Sequence, residues 1–417
     1  MQLSASSPFD ATLNHWAERL RARLDVPVLV RWKGGTGLKL GQFDSPRVTL
    51  DVRDAKGAAA LLSPSLDALG EAYVEGHLDV AGTVQDIIDV AHRLAAAGGG
   101  ADPDRASWMG RMVRRVVDAQ HHSKNEDRAA IHYHYDVSNA FYAEWLDPAM
   151  VYSCAYFEIG TETLAQAQQK KIDHILTKLR VEPGQSLLDI GCGWGALVLR
   201  AAQKFGARCV GITLSQNQYE LATERVRAAG LQDRVEIRLQ DYRDVSESFD
   251  RITSVGMCEH VGLKNLEPYF RIIHDRLAPG GWALNHGITS TDADNAETSH
   301  GGGRFIDRYV FPQGELPHVS LVLSTLQRGG LEPVDAESLR RHYARTLQCW
   351  SDNFEAKGEH LKSLVDEKKW RIWRMYLVGC QWAFEHDEIS LFQVLCRRGG
   401  QSATSLPWSR RFMYGGA

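Results

Sequence analysis

The side chains able to do chemistry gather in a few short stretches. Leu187-Leu188-Asp189-Ile190 runs into Gly191-Cys192-Gly193-Trp194-Gly195, with glycines at alternating positions. Such a turn lets a ligand approach the backbone closely, and the free N–H groups of the helix predicted from Ala196 onward then face it. Glu259-His260 follows the predicted strand Asp250–Val255, and His286 ends the run Trp282-Ala283-Leu284-Asn285-His286. A carboxylate and an imidazole at strand ends can hold or move protons. Each also has a plain structural reading: Glu259 could open a helix, and His286 could be a satisfied core histidine. Cys154 and Tyr343 taken singly are buried packing residues.

The glycine turn alone leaves the cofactor open. Gly-Cys-Gly-Trp-Gly-Ala fits the loose dinucleotide fingerprint, which calls for an acid about 20 positions on to hold a ribose. The second predicted strand, Arg208–Thr213, runs instead into Leu214-Ser215-Gln216-Asn217-Gln218. An acid does follow the third, Val235–Leu239, at Asp241-Tyr242. Gly-x-Gly-x-Gly after Leu-Asp, with that later Asp, resembles the class I S-adenosylmethionine-dependent methyltransferases. A nicotinamide oxidoreductase is the competing reading.

The elements needed to position these residues are legible in outline. From about 187 to 288 strands and helices alternate, the rhythm of a doubly wound, mainly parallel α/β sheet. Residues 9–24 predict an amphipathic helix, and Val28–Trp32 and Arg47–Arg53 predict strands. A small N-terminal α+β domain over 1–100 therefore precedes a basic helical linker over 101–130. A catalytic domain over 131–417 follows, with a helical, aromatic C-terminal part. Trp370, Trp373, Leu377, Cys380 and Phe384 fall on one face of a helix there, as core packing or as the wall of an apolar tunnel.

Bulk properties narrow the class. The 417 residues carry 48 basic and 52 acidic side chains, a net charge of -4 that gives no global pull toward nucleic acid. The seven cysteines form no Cys-x-x-Cys pair, which points to reduced thiols in the cytoplasm and to no metal site. His121-His122 reads as surface. The sequence offers neither a signal peptide nor an apolar span, so a soluble or at most peripheral protein is expected. The basic helix over 108–128 could lie on an anionic bilayer or dock on the main domain.

Further stretches name a reaction. They are His134-Tyr135-Asp136-Val137 with Phe141-Tyr142, Met150-Val151-Tyr152-Ser153-Cys154-Ala155-Tyr156-Phe157, and Ser254-Val255-Gly256-Met257-Cys258-Glu259-His260-Val261-Gly262. To these add His286-Gly287-Ile288 and Arg308-Tyr309-Val310-Phe311-Pro312-Gln313-Gly314. With the glycine turn and Thr213–Gln218, and with Leu69–Gly76 upstream, they resemble the cyclopropane-fatty-acyl-phospholipid synthase family over about 70–400. The resemblance implies a seven-stranded, Rossmann-like class I methyltransferase domain. It implies methyl transfer from S-adenosylmethionine to a cis double bond of a phospholipid acyl chain. A bound bicarbonate would then take a proton from the added methyl as the ring closes. Methylation without ring closure is the sister reaction, and an inactive lipid-binding module is a further competitor. A homodimer with transient contact at the inner membrane surface is expected.

By the same resemblance, Cys154, Glu259, His286, Ile288 (through its N–H) and Tyr343 hold the bicarbonate, and Cys380 lines the pocket. Glu259 would share a proton with the anion or orient His286. A carboxylate beside an anion should have a raised pKa. Tyr152, Ser153, Asp189, Gly191, Gly193, Thr213, Leu214, Gln218, Asp241 and Tyr242 would hold the cofactor. Gln218 would stand in for the usual carboxylate on the ribose, with Asp241 and Tyr242 at the adenine. Cys258 departs from the aromatic residue common before Glu-His, which predicts a wider pocket wall. Asp292–Gly303 is a long polar loop that could steer substrate access.

Overall fold

The computed structural model describes residues 15–18, 20–21, 25–32, 37–97, 137–293, 303–310 and 315–414. The basic linker with His121-His122, the His134–Asp136 motif, most of the polar loop and Phe311–Gly314 lie outside them. The chain forms two compact units.

The first unit is built on β1 (Val28–Trp32), β2 (Leu38–Lys39), β3 (Val48–Val52) and β4 (Leu78–Ala81), in the order β2-β1-β3-β4. The two central strands pair in parallel and the edges antiparallel. Alternation puts Val28, Val30, Val48, Leu50 and Val52 inside. Helices Ala55–Leu62 and Leu66–Val74 start on the caps Asp54 and Ser65. This unit takes in more than the first hundred residues. Val365–Trp382 and the described part of Glu297–Val310 group with it. There Arg371 Nη2 donates to Asp79 Oδ1 at 2.7 Å, and Tyr309 Oη to Glu75 Oε1 at 2.9 Å. A division in chain order misses both segments.

The second unit holds a seven-stranded sheet. Its strands are β5 (Ser186–Ile190), β6 (Arg208–Thr213), β7 (Val235–Leu239), β8 (Phe249–Val255), β9 (Leu277–Ser290), β10 (Leu331–Ser338) and β11 (Ile389–Arg398). The order is β10-β11-β9-β8-β5-β6-β7. From β7 to β9 every pairing is parallel, while β11 runs antiparallel to both β9 and β10. The buried parallel strands are the apolar runs read from the sequence. β10 and β11 were not anticipated, because helical aromatic spacing dominates the C-terminal pattern. The helix predicted there does form, over Glu367–Glu385, with Trp373, Leu377 and Phe384 buried.

Candidate active site

The cofactor cleft opens where β5 ends. Gly191 adopts φ 81°, and a Cβ there would stand 2.7 Å from Met257 Cγ, so only glycine turns the chain at this point. Gly191, Gly193, Asp189, Tyr152, Ser153, Thr213, Leu214, Gln218 and Tyr242 all line one cavity, joined by Gln240, Met257, His260 and Lys171. Thr213 Oγ1 donates to Gln218 Oε1 at 2.8 Å, which leaves the amide nitrogen as the donor Gln218 can offer a ligand. Tyr152 is held among Tyr142, Trp145 and Trp350, with ring centroids 5.3–5.7 Å away. Asp189 accepts from Thr253 Oγ1 at 2.7 Å, and burial pushes its carboxyl up to about 6.

Asp241 is tied to its own turn. Its carboxylate caps the turn that follows, accepting the Arg243 N–H at 2.9 Å, and pairs with the Arg243 guanidinium at 2.7 Å. Gln240 and Tyr242, on either side, line the cavity. A short polar side chain before a tight turn satisfies the nearby backbone first.

Lys171 was missed by sequence reasoning. It sits on the buried face of helix Leu164–Lys178, where burial pushes its ammonium down to about 8. The signal was available: Ala167, Lys171, Ile175 and Lys178 fall four, four and three apart. A lysine on an apolar stripe is rare unless partnered. Lys171 Nζ donates to Ser153 Oγ at 2.7 Å, which places a positive charge in the cavity wall.

The candidate catalytic residues gather where β9 outruns β8. The last pair of that ladder is Val255 with His286, and the Gly256 N–H donates to His286 O at 2.8 Å. Beyond it the Ile288 N–H has no strand partner on that side. The chain leaving β8 turns into the short helix Cys258–Val261, and Glu259 Oε1 accepts that N–H at 2.7 Å. Burial raises the Glu259 pKa, with this hydrogen bond opposing. The other oxygen accepts from Cys258 Sγ at 3.4 Å.

Glu259 therefore does not orient His286. Gln393 of β11 does, with Nε2 at 3.1 Å from His286 Nδ1. Burial, then the charges of Lys171 and Lys178, push the His286 pKa well down, so the ring is neutral. Cys154 is fully buried and burial raises its pKa, so it is a thiol and not a thiolate. Its Sγ lies 3.8 Å from Leu339 O, which also accepts the Tyr343 N–H at 3.0 Å. The Leu339 N–H donates to Leu391 O at 2.9 Å, and Leu391 pairs with Ile288. Cys154, Tyr343 and Ile288 are thus tied through one stretch of backbone. Cys258 is buried, and a Cβ on Gly287 would collide with its Sγ, so it fills space against β9 and does not widen a wall. Cys380 belongs to the first unit.

A parallel sheet with an antiparallel edge, carrying a cleft at the carboxyl ends of β5 and β6, defines a class I S-adenosylmethionine-dependent methyltransferase. Residues 122–394 match the mycolic acid cyclopropane synthetase family, and residues 15–97 match a domain of unknown function. The chain belongs to the first of these families. A "Probable fatty acid methyltransferase" of Pseudomonas putida is 44% identical over 94% of this chain and 97% of its own. The cyclopropane-fatty-acyl-phospholipid synthase of Escherichia coli is 39% identical over 64% of this chain and 67% of its own. Among solved structures, mycolic acid cyclopropane synthase CmaA1 complexed with SAH and CTAB is similar at TM-score 0.63 and 35% identity, covering 65% of this chain and 98% of that one. Among the described residues no helix is long and apolar enough to cross a membrane.

Proposed function

We propose that this methyltransferase alkylates a cis double bond in a phospholipid acyl chain and closes it to a cyclopropane. Bound S-adenosylmethionine would supply an electrophilic methyl group. The π electrons of the alkene form the new C–C bond, S-adenosylhomocysteine leaves, and a carbocation remains. Loss of a proton from the added methyl returns that C–H pair to the carbon skeleton as the closing ring bond. The observation that carries this reading is the set of polar side chains buried about the end of β9: Glu259 on the Ile288 N–H, His286 with its Nε2 unpaired among the described residues, and Cys154 on the carbonyl of Leu339, whose N–H bonds Leu391 beside Ile288. Donors of this kind suit a small oxyanion such as bicarbonate, which would act as the base. The chemistry of the donor set fits that ion, since a buried anion requires several hydrogen bonds. In the cleft, Lys171 and Ser153 suit the cofactor's carboxylate, with Gln218 at its ribose and Tyr242 toward its base. Such a substrate would bring the protein to a membrane face.

Methylation without ring closure is favoured by one observation, the name of the Pseudomonas putida relative that matches nearly the whole chain. Purified protein would be incubated with methyl-deuterated S-adenosylmethionine and vesicles of cis-unsaturated phospholipid, with and without bicarbonate. Acyl chains gaining CD₂, with upfield cyclopropyl proton signals and dependence on bicarbonate, are expected. A CD₃-bearing chain, or an added =CD₂ group with vinylic deuterium signals and no cyclopropyl protons, would assign the sister reaction.

A further inference from the structure

Behind His286 runs a line of polar side chains that the cofactor cleft does not use. Gln393 Nε2 stands 3.1 Å from His286 Nδ1, and Lys178 Nζ donates to Gln393 Oε1 at 2.9 Å. Lys178 also bonds Glu337, which His174 Nε2 meets at 2.8 Å. The members come from β9, β11, helix Leu164–Lys178 and β10. His286, Gln393 and Lys178 are each no more than 1% exposed. Burial alone would raise Glu337, but the hydrogen bond from His174 and the charge of Lys178 hold it at about 2. Burial lowers the Lys178 pKa, and the charge and hydrogen bond of the Glu337 carboxylate oppose that shift and favour the ammonium.

Donor and acceptor roles along this line follow by elimination. An ammonium donates and cannot accept, so the Gln393 oxygen must face Lys178. The amide is planar, so its NH₂ must then face His286. A ring nitrogen that receives that N–H has to offer a lone pair, so Nδ1 carries no proton. The proton of a neutral imidazole then resides on Nε2. His286 Nε2 is itself buried and meets no hydrogen-bond partner among the described residues. Leaving a buried donor unpaired is costly, and a ligand that accepts from it would recover that cost.

We infer that Gln393, keyed by Lys178, is a positioning residue that fixes His286 as its Nε2–H tautomer, an obligate donor to an acceptor-bearing ligand such as a small oxyanion. Two consequences follow for the chemistry. His286 is not the base, since one ring nitrogen is already protonated and the other is occupied by the Gln393 amide. The proton released on ring closure passes to the anion that His286 holds, and the C–H electron pair goes to the ring bond. This functional half rests on the anion-assisted reaction proposed above, while the tautomer itself does not.

The test is ¹⁵N spectroscopy of the full chain labelled at histidine, with His286 identified by its absence from His286→Gln. In the wild-type protein the expected pattern is a protonated Nε2 and an unprotonated Nδ1, and the reverse would overturn the inference without any variant. Gln393→Glu presents a carboxylate that accepts from both neighbours, so the proton should move to Nδ1. With that shift, turnover on unsaturated phospholipid should fall about 100-fold, the loss typical of one misdirected donor. S-adenosylhomocysteine affinity, read by calorimetry, should stay within about twofold because the cleft is untouched. A ring unchanged in Gln393→Glu, with that affinity intact, would refute the positioning role. So would a flipped ring with full turnover. If the wild-type protein acts on no acyl double bond, the proposed reaction fails, and the wild-type tautomer still judges this inference alone.

Discussion

Lys171 Nζ donates to Ser153 Oγ at 2.7 Å, and through that bond a buried cation borders the cofactor cleft. An ammonium pushed down to about 8 by burial is poised to gain from an anionic ligand group.

Lys171→Met should therefore weaken S-adenosylhomocysteine binding about tenfold, the worth of one hydrogen bond to a charged group. Calorimetry at pH 7 checks it. The pH dependence has a defined sign. Above about 8 the folded protein loses this proton, so wild-type affinity should decline as pH rises through that value. The ligand-free fold should gain stability over the same range, because the unfolded chain there binds more protons than the folded one. Both trends should vanish in Lys171→Met.

Glu259→Gln keeps an acceptor for the Ile288 N–H and removes the acid. Cofactor affinity should be unchanged and turnover should fall by about 100-fold or more, within the usual span for a lost proton-handling group. Stability gives a second readout. Burial raises the carboxyl's pKa, so its contribution is complete at low pH and is lost as pH rises through the folded-state value. In Glu259→Gln that part of the decline should disappear from a series of thermal melts.

Gly191→Ala and Gly287→Ala test backbone approach. The first forces φ 81° on a residue with a Cβ and presses it against Met257. A loss of about 1–2 kcal/mol is expected from the left-handed conformation alone, with cofactor binding reduced as well. The second drives a Cβ into Cys258 Sγ and should displace Glu259 while the cleft still binds cofactor. Denaturant melts with calorimetry separate the two outcomes.

Gln218→Leu should lower cofactor affinity by about tenfold, since it removes both the acceptor for Thr213 and the donor facing the cavity. Gln218→Glu keeps an acceptor for the Thr213 hydroxyl and should lose less. Titration with S-adenosylhomocysteine compares them.

The sequence was most informative where local pattern and chemistry coincide. Apolar runs ending in glycines placed β5 and its turn, and β6 to β9 followed from their alternation with helices. The strands at the antiparallel edge were hidden. Ile389–Arg398 is buried along almost its whole length, so it lacks the period-two signature of a half-exposed strand. It also follows a long aromatic helix that dominates the reading. Residues that act by occupying a cleft wall, such as Tyr152 and Gln218, were named from motifs. Those that act on another side chain were not. Lys171 and Gln393 owe their roles to partners 18 and 107 positions away, a relation no short motif records. Asp241 carries a feature its motif does not record: its carboxylate also accepts from the guanidinium two residues on.

β9 pairs in parallel with β8 and antiparallel with β11, so it is the seam of the sheet. Its β8 side leads to Val255, Gly256 and Met257 in the cleft wall, and its β11 side brings Gln393 to His286. In the reaction proposed above, recognition of the methyl donor and disposal of the proton would thus fall to separate strands that meet at one position. Drift in β10 or β11 could change the product, ring or branch, while the methyl-donor site is inherited intact. Under that proposal, the separability offers one scaffold a route to different products.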